Sequence, residues 1–354
     1  MAAYTTIDNP ELHFQVKLYT GTGSSHAITL DGSEDMAPDL VWGKNRDAAD
    51  NHTLFDSVRG VRQYLGSNTT SVEATGADSL NSFDSDGFTV GAWGDANGNT
   101  EDYAAWCWKA GTTSGITTTG ADITPSAYSF NHTSRFSIAA YTGNGSSGAK
   151  IAHGLGAIPE MMIIQTRDVA GRVKPVYHHK NTSAPETDYL GFNNSDATTD
   201  GAWTWNDAVP TSVFMETQAN TATNKSSSTY VLYSFKGVQG YSKFGGYTGN
   251  GNVNGTFVYT GFKPSFIMVK QTSGSANWII TDNKRDPYNV ASKELYPNNG
   301  NVEGTDTDYY VDFLSNGLKW RGPGAATNSA ATYVYAAFAA NPFVNSNGVP
   351  CNAR

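Results

Sequence analysis

Several groups of residues in this sequence have the types and spacing that chemistry requires. Asp306, Asp308 and Asp312 set three carboxylates within one short stretch. Cleavage of a glycoside needs two carboxylates facing the same cleft. These three lie in a polar approach to a strand, where solvated side chains are the simpler reading. The Glu-x-Asp-x-x-Glu string of common sandwich glucanases is absent. His178-His179 is the one histidine pair, but neighbours on a strand point to opposite faces and share a metal poorly. Asp95-Ala96-Asn97-Gly98-Asn99 places oxygen ligands at alternate positions, so Asp95, Asn97 and Asn99 form the one calcium candidate. Its glycine is misplaced and no bidentate Glu follows at the twelfth position, which favours a plain turn. Gly-x-Ser-x-Gly, His-Glu-x-x-His and a phosphate-binding loop are all missing. The expectation is a protein with no catalytic residues, no metal and no cofactor: not an enzyme.

Aromatic residues are the richer signal. Trp93, Trp203, Trp205 and Trp320 all neighbour Gly, Asn or Asp, as in Gly91-Ala92-Trp93-Gly94-Asp95. An aromatic face flanked by short polar side chains is what stacking on a sugar ring requires. The competing reading is that these tryptophans cover a core or a seam between domains. Under the first reading, Trp320→Ala removes sugar binding without unfolding the chain.

The elements that must position these residues repeat along the chain. Tyr-Thr-Gly-x-Gly stands at Tyr19 to Gly23, Tyr141 to Gly145 and Tyr247 to Gly251. A Pro-led apolar run follows each time, beginning at Pro38, Pro159 and Pro264. A closing strand begins at Tyr103, Tyr230 and Tyr333. From copy one to copy three the offsets are 247−19 = 228, 264−38 = 226 and 333−103 = 230, so one register is repeated. Phe83-Asp84-Ser85-Asp86-Gly87-Phe88 matches Phe313-Leu314-Ser315-Asn316-Gly317-Leu318 at the same offset of 230. Copy two lacks a clear counterpart, so its centre, Asn181 to Asn224, has diverged most.

Each landmark reads as β structure. The paired glycines supply positive φ in a turn. Pro starts a strand without losing a ladder bond. The unbroken apolar run suits a strand covered on both faces. Asp86-Gly87 and Asn316-Gly317 signal tight hairpins. Cys107, Ser234 and Ala337 share one position of the closing strand, so Cys107 reads as a packed thiol in a small slot. Helical periodicity is nearly absent, with one or two turns conceivable from Asp56 to Leu65. The fold class expected is all-β, with three tandem sandwiches of jelly-roll or concanavalin-like form, each of about 100 residues. The expected boundaries are an N-terminal arm at 1–12, copy one at 13–111, a linker at 112–133, copy two at 134–237, copy three at 238–343 and a tail at 344–354. Copies two and three, joined by a few residues around Gly240, are expected to pack more rigidly together.

Composition bounds the function. Nineteen Tyr, sixteen Phe and eight Trp are ample for packed cores and exclude a disordered chain. A net charge of −9 without a basic cluster argues against nucleic acid as a partner. The longest apolar runs are strand-length, far below the ~20 residues of a membrane helix, so no membrane insertion is expected. The start carries neither a basic region nor an apolar core, so no signal peptide is expected. Two cysteines, Cys107 and Cys351, exclude a disulfide-stapled fold and point to synthesis in a reducing cytoplasm.

Taken together the landmarks resemble a repeat family of marine tailed bacteriophages, a domain of unknown function. Its copies begin Tyr-Thr-Gly-Asn-Gly and close on Tyr-x-x-Trp-Cys-Trp-Lys-Ala-Gly. Copy one carries the resemblance best, through Val41 to Asp47, His52 to Gly60 and Tyr103 to Gly111. The resemblance implies a virion protein with a concanavalin-like or related β-sandwich, and it carries no catalytic motif. The expected function is therefore a non-enzymatic structural component of the virion surface, such as a tail fibre, an appendage or a capsid decoration. Its expected partners are other virion proteins, further copies of itself in a homo-oligomer (a trimer), and a host surface glycan. The alternative is a free lectin or a polysaccharide depolymerase.

Overall fold

A computed structural model of the chain describes residues 4–351. The three Pro-led apolar runs form strands at Leu40–Asn45, Met161–Thr166 and Phe262–Gln271, and the first two are buried along their whole length. Each belongs to an antiparallel sheet in the same spatial order: opening strand, closing strand, central strand, following strand. In copy one these are Phe14–Thr20, Asp102–Trp108, Leu40–Asn45 and Thr53–Asp56. In copy two they are Phe136–Thr142, Thr229–Phe235, Met161–Thr166 and Pro175–His178, and in copy three Ser242–Thr248, Thr332–Pro342, Phe262–Gln271 and Ile279–Asp282.

A smaller sheet covers the outer face of each. It has three strands in copies one and three (His26–Thr29, Gly87–Val90, Leu80–Asp84; Phe257–Tyr259, Gly317–Trp320, Val311–Leu314). In the diverged copy two it shrinks to Ala149–Ala152 with Phe214–Thr217. The two hairpins form where expected but turn on Ser85-Asp86 and Ser315-Asn316, with the glycine opening the next strand. There Gly87 and Gly317 face the neighbouring strand so closely that a Cβ would sit 2.0 Å from the Ile28 carbonyl oxygen or 2.2 Å from that of Val258.

Alternation along the inner sheets splits their side chains between two destinations. Val41, Phe55, Ala105 and Cys107 enter copy one's own sandwich. Phe14, Trp42, Trp106 and Trp108 point the other way, into a core shared with Ile138, Ile163, Phe235, Phe266, Met268 and Phe338 of the other copies. Three sheets therefore pack around one centre. Trp108, Phe235 and Phe338, which occupy the same position of the closing strand, meet there with ring centroids 6.5, 5.5 and 6.2 Å apart. Mutual contact of three equivalent residues marks a pseudo-threefold axis. All three copies thus close around the same aromatic centre.

Two connecting segments differ from expectation. The segment read as a linker, 112–133, contains a strand, Ala127–Asn131, that pairs with Phe136–Thr142 and extends the copy-two sheet. It carries Phe130, which is buried, so it gains both ladder bonds and apolar cover. The N-terminal arm lies against the body, with Ile7 in the shared core and the Tyr4 hydroxyl donating to the Gly261 carbonyl at 2.7 Å. Asp8 holds the tail through the Ser346 N–H and hydroxyl. The stretch from Asp56 to Leu65 forms turns and a short strand, Gln63–Tyr64, rather than a helix. Among the described residues no helix is long and apolar enough to cross a membrane.

Candidate functional site

The repeated signature is a structural device. Its tyrosine stacks on the tyrosine that opens the closing strand: Tyr19 on Tyr103, Tyr141 on Tyr230, Tyr247 on Tyr333, with centroids 5.2, 5.1 and 5.0 Å apart. Its hydroxyl donates to the carbonyl of Ala96, Thr223 or Thr327. The next residue in each case is an asparagine that staples the glycine turn. Asn97 accepts from the Thr22 N–H at 2.8 Å, and Asn224 accepts from Asn144 at 2.9 Å. Asn328 accepts from Asn250 at 3.3 Å. A Cβ on the first glycine, Gly21, Gly143 or Gly249, would lie 2.0, 2.3 or 2.1 Å from a backbone oxygen. The second, Gly23, Gly145 or Gly251, takes φ of 63°, 71° and 65°.

Two of the seams between copies hold buried ion pairs. In copy one the Arg59 Nε pairs with Asp56 at 2.5 Å and its Nη1 with Glu73 at 3.0 Å. Glu73 reaches Arg167 of copy two at 2.6 Å, and Asp56 accepts the Tyr233 hydroxyl at 2.7 Å. Copy three repeats the set against copy one: Arg285 with Asp282 at 2.6 Å and Glu303 at 3.2 Å, and Glu303 with Arg46 at 2.8 Å. The register of the central strands assigns the third seam, since Leu40, Met161 and Phe266 face Asp56, His178 and Asp282. There His178 lies 3.1 Å from the Tyr335 carbonyl, the Thr198 N–H donates to the Thr272 carbonyl at 2.9 Å, and the buried Lys270 amine donates to the Ser195 carbonyl at 3.2 Å. Burial drives His178 down to about 3, so the imidazole is uncharged at neutral pH. The sequence held a signal for this network that was missed: Asp-x-x-Arg recurs at 56–59 and 282–285 with the offset of the Pro landmark.

The residues singled out for chemistry are not brought together. Trp320 is 0% exposed and Trp205 1%, each inside the sandwich core of its own copy, so neither can stack on a sugar. Trp320→Ala should therefore destabilise the fold, by about 3–5 kcal/mol for an emptied aromatic site, contrary to the expectation of a neutral change. Trp93 is half-buried against Tyr64 at 4.5 Å, and Trp203 against Tyr189 at 4.9 Å. In the calcium candidate Asn97 is fully buried and engaged by Thr22, Ser24 and Gly91, which leaves Asp95 and Asn99 without their middle ligand. Among the described residues no cluster of His, Cys, Asp and Glu could hold a metal. Asp312 is paired with Arg321 at 2.5 Å, while Asp306 caps a turn by accepting the Asp308 N–H at 2.9 Å. His179 lies 2.7 Å from the Phe244 carbonyl, a second structural contact between copies two and three. Burial pushes the Cys107 thiol far up, so it stays protonated and inert.

One open groove, of about 590 Å³, runs along the edge of copy three where copy two meets it. Its floor is the opening strand at Gly245-Gly246, where copies one and two carry Lys17-Leu18 and Ala139-Ala140. Without side chains at these positions, the Tyr335 ring crosses the strand: a Cβ on Gly245 would lie 2.5 Å from the Tyr335 hydroxyl. Phe257 and Tyr259, 44% and 50% exposed, form one wall. Lys243 donates to the Tyr259 carbonyl at 2.7 Å and sits 5.0 Å from the centre of its ring. Burial draws the Lys243 amine below its usual range. Glu160 is neutralised by Lys236 at 2.8 Å, and Lys180 is exposed at the rim. Two adjacent glycines inside a strand were the available sequence signal for such a close approach.

Comparison with known proteins adds one relationship. No curated protein and no solved structure matches the chain. A family model described as Domain of unknown function (DUF7483) matches residues 9–342, taking in all three copies and their shared core as one unit. The chain belongs to the family defined by this domain, DUF7483.

Proposed function

We propose that this protein is a non-enzymatic structural component of a bacteriophage particle surface. The observation that carries the reading is the triangle of Trp108, Phe235 and Phe338 at the centre of three equivalent sheets. One chain thereby has the shape of a closed trimer, whose heterologous contacts are all satisfied internally. Such a body suits a threefold or sixfold position on a particle, where a single chain can stand in for three. Arm and tail fastened to the body, and turns locked by the repeated asparagines, suit a surface exposed to proteases. The resemblance of its landmarks to tailed-bacteriophage repeats points the same way.

The test is immunogold labelling of purified particles with antibody to this protein. Label on heads or tails supports the reading, and its position separates decoration from fibre. Bare particles, with the protein free in the lysate, would overturn it. A second reading, a glycan-binding protein, is favoured by the groove over Gly245-Gly246, with its exposed aromatic wall and adjacent amines.

A further inference from the structure

The groove in copy three has features that a structural seam does not need. Tyr335 lines the groove, and its hydroxyl reaches the floor at Gly245, 2.5 Å from where a Cβ would stand. Phe257 and Tyr259 alternate on one strand with Val258 turned inward. Their side chains therefore project from the same face, with Cα atoms about 6.5 Å apart. Lys243 and Lys180 stand beside them, whereas Glu160 is already paired with Lys236. The groove is thus cationic on a chain of net charge −9.

We propose that this groove binds an anionic oligosaccharide, one whose pyranose rings carry carboxylate or sulfate groups. A sugar face stacks on Tyr259 and Phe257, the anionic group meets the Lys243 and Lys180 ammoniums, and the Tyr335 hydroxyl bonds a ring hydroxyl or ring oxygen. Gly245 and Gly246 let the ring approach the backbone, and any side chain there would occupy its place. Copies one and two have larger residues at these positions, so the site occurs once per chain. An extended peptide fits less well. His179 already bonds the Phe244 carbonyl on the open edge, and Lys180 lies beside Gly246, so a strand cannot pair along the edge. The proposal deepens the glycan-binding reading. It is separable from the particle role, because a particle can carry the protein whether or not the groove is filled.

The experiment is titration calorimetry on the full chain at ~0.15 M salt, where charges farther apart than about 8 Å are screened. The probes are an alginate hexasaccharide, a sulfated-galactan hexasaccharide, neutral cellohexaose and an Asp/Glu hexapeptide. At least one anionic sugar should bind, with cellohexaose and the peptide each at least about tenfold weaker, a difference of about 1.4 kcal/mol. Tyr259→Ala and Lys243→Met should each weaken binding about tenfold, while thermal melting confirms the fold. Tyr335→Phe removes the hydroxyl that reaches the groove floor, so it should weaken binding severalfold. No binding by either anionic sugar at several millimolar sinks the proposal. So does peptide or cellohexaose binding of equal strength, or undiminished binding by folded Tyr259→Ala and Lys243→Met.

Discussion

Asp282 of copy three accepts the indole N–H of Trp106 in copy one at 3.1 Å, and Asp56 of copy one receives the Tyr233 hydroxyl of copy two at 2.7 Å. Trp106 and Tyr233 hold the same place on their closing strands, 127 residues apart like Tyr103 and Tyr230. The same seam is therefore built twice with different donors. Each aspartate is also bound by an arginine three residues on. Removing one partner of a buried pair leaves the other uncompensated, a loss of about 3–5 kcal/mol. Arg285→Met should fall in that range by chemical denaturation. Replacing Arg285, Asp282 and Glu303 together by apolar residues should be milder than Arg285→Met alone.

The two glycines of each Tyr-Thr-Gly-x-Gly turn should differ in tolerance. Gly249→Ala sets a Cβ against the Ser329 carbonyl at 2.1 Å, an overlap with backbone that cannot swing away. Gly251→Ala meets no atom closer than 3.7 Å and suffers only its φ of 65°, a penalty of about 1–2 kcal/mol. Melting temperatures should rank wild type above Gly251→Ala, and Gly251→Ala above Gly249→Ala. The reverse order would show that the close approach is not what fixes the first glycine.

Three buried histidines, His52, His153 and His178, predict acid sensitivity. Burial brings His153 down to about 4 and His178 to about 3, against about 6.5 in the unfolded chain. Below pH 6.5 the unfolded state takes up protons that the folded state refuses, so stability falls as pH falls, until the folded values are reached. Each histidine contributes a slope of at most about 1.4 kcal/mol per pH unit. Denaturation midpoints should drop between pH 7 and pH 5. His153→Gln should flatten that drop even if it lowers stability at pH 7.

A single copy should not fold alone. Expressing 238–343 would expose Phe244, Phe266, Met268 and Phe338, all buried here in the shared core. A patch of that kind drives aggregation. The full chain should unfold in one transition by calorimetry. Three separate transitions would mean that the shared centre adds little.

The repeat, its strand landmarks and the two-faced burial of the central strands were legible in the sequence, because spacing and apolar runs report backbone period directly. The shared centre was not. A strand apolar on both faces says that something covers it, not what, and Trp108, Phe235 and Phe338 lie more than a hundred residues apart. The tryptophans misled for a related reason. Asn316, Gly317 and Gly322 near Trp320 describe the neighbouring turns, whereas the side chain's destination is set by strand alternation. The groove was written as Gly245-Gly246, an absence of side chains that matters only once the Tyr335 ring is seen to cross it.

Fusion of the three copies into one chain has a consequence for what each can become. In an assembly of three identical chains every substitution appears three times, so a groove gained at one seam is imposed on all. Here the link between sequence and symmetry is broken. Arginine–carboxylate clamps hold two seams, whereas His178 and Lys270 reach backbone carbonyls across the third. The pair of glycines stands beside that third seam alone. A single gene can thus keep the outline of a trimer while giving one of its three faces an identity of its own.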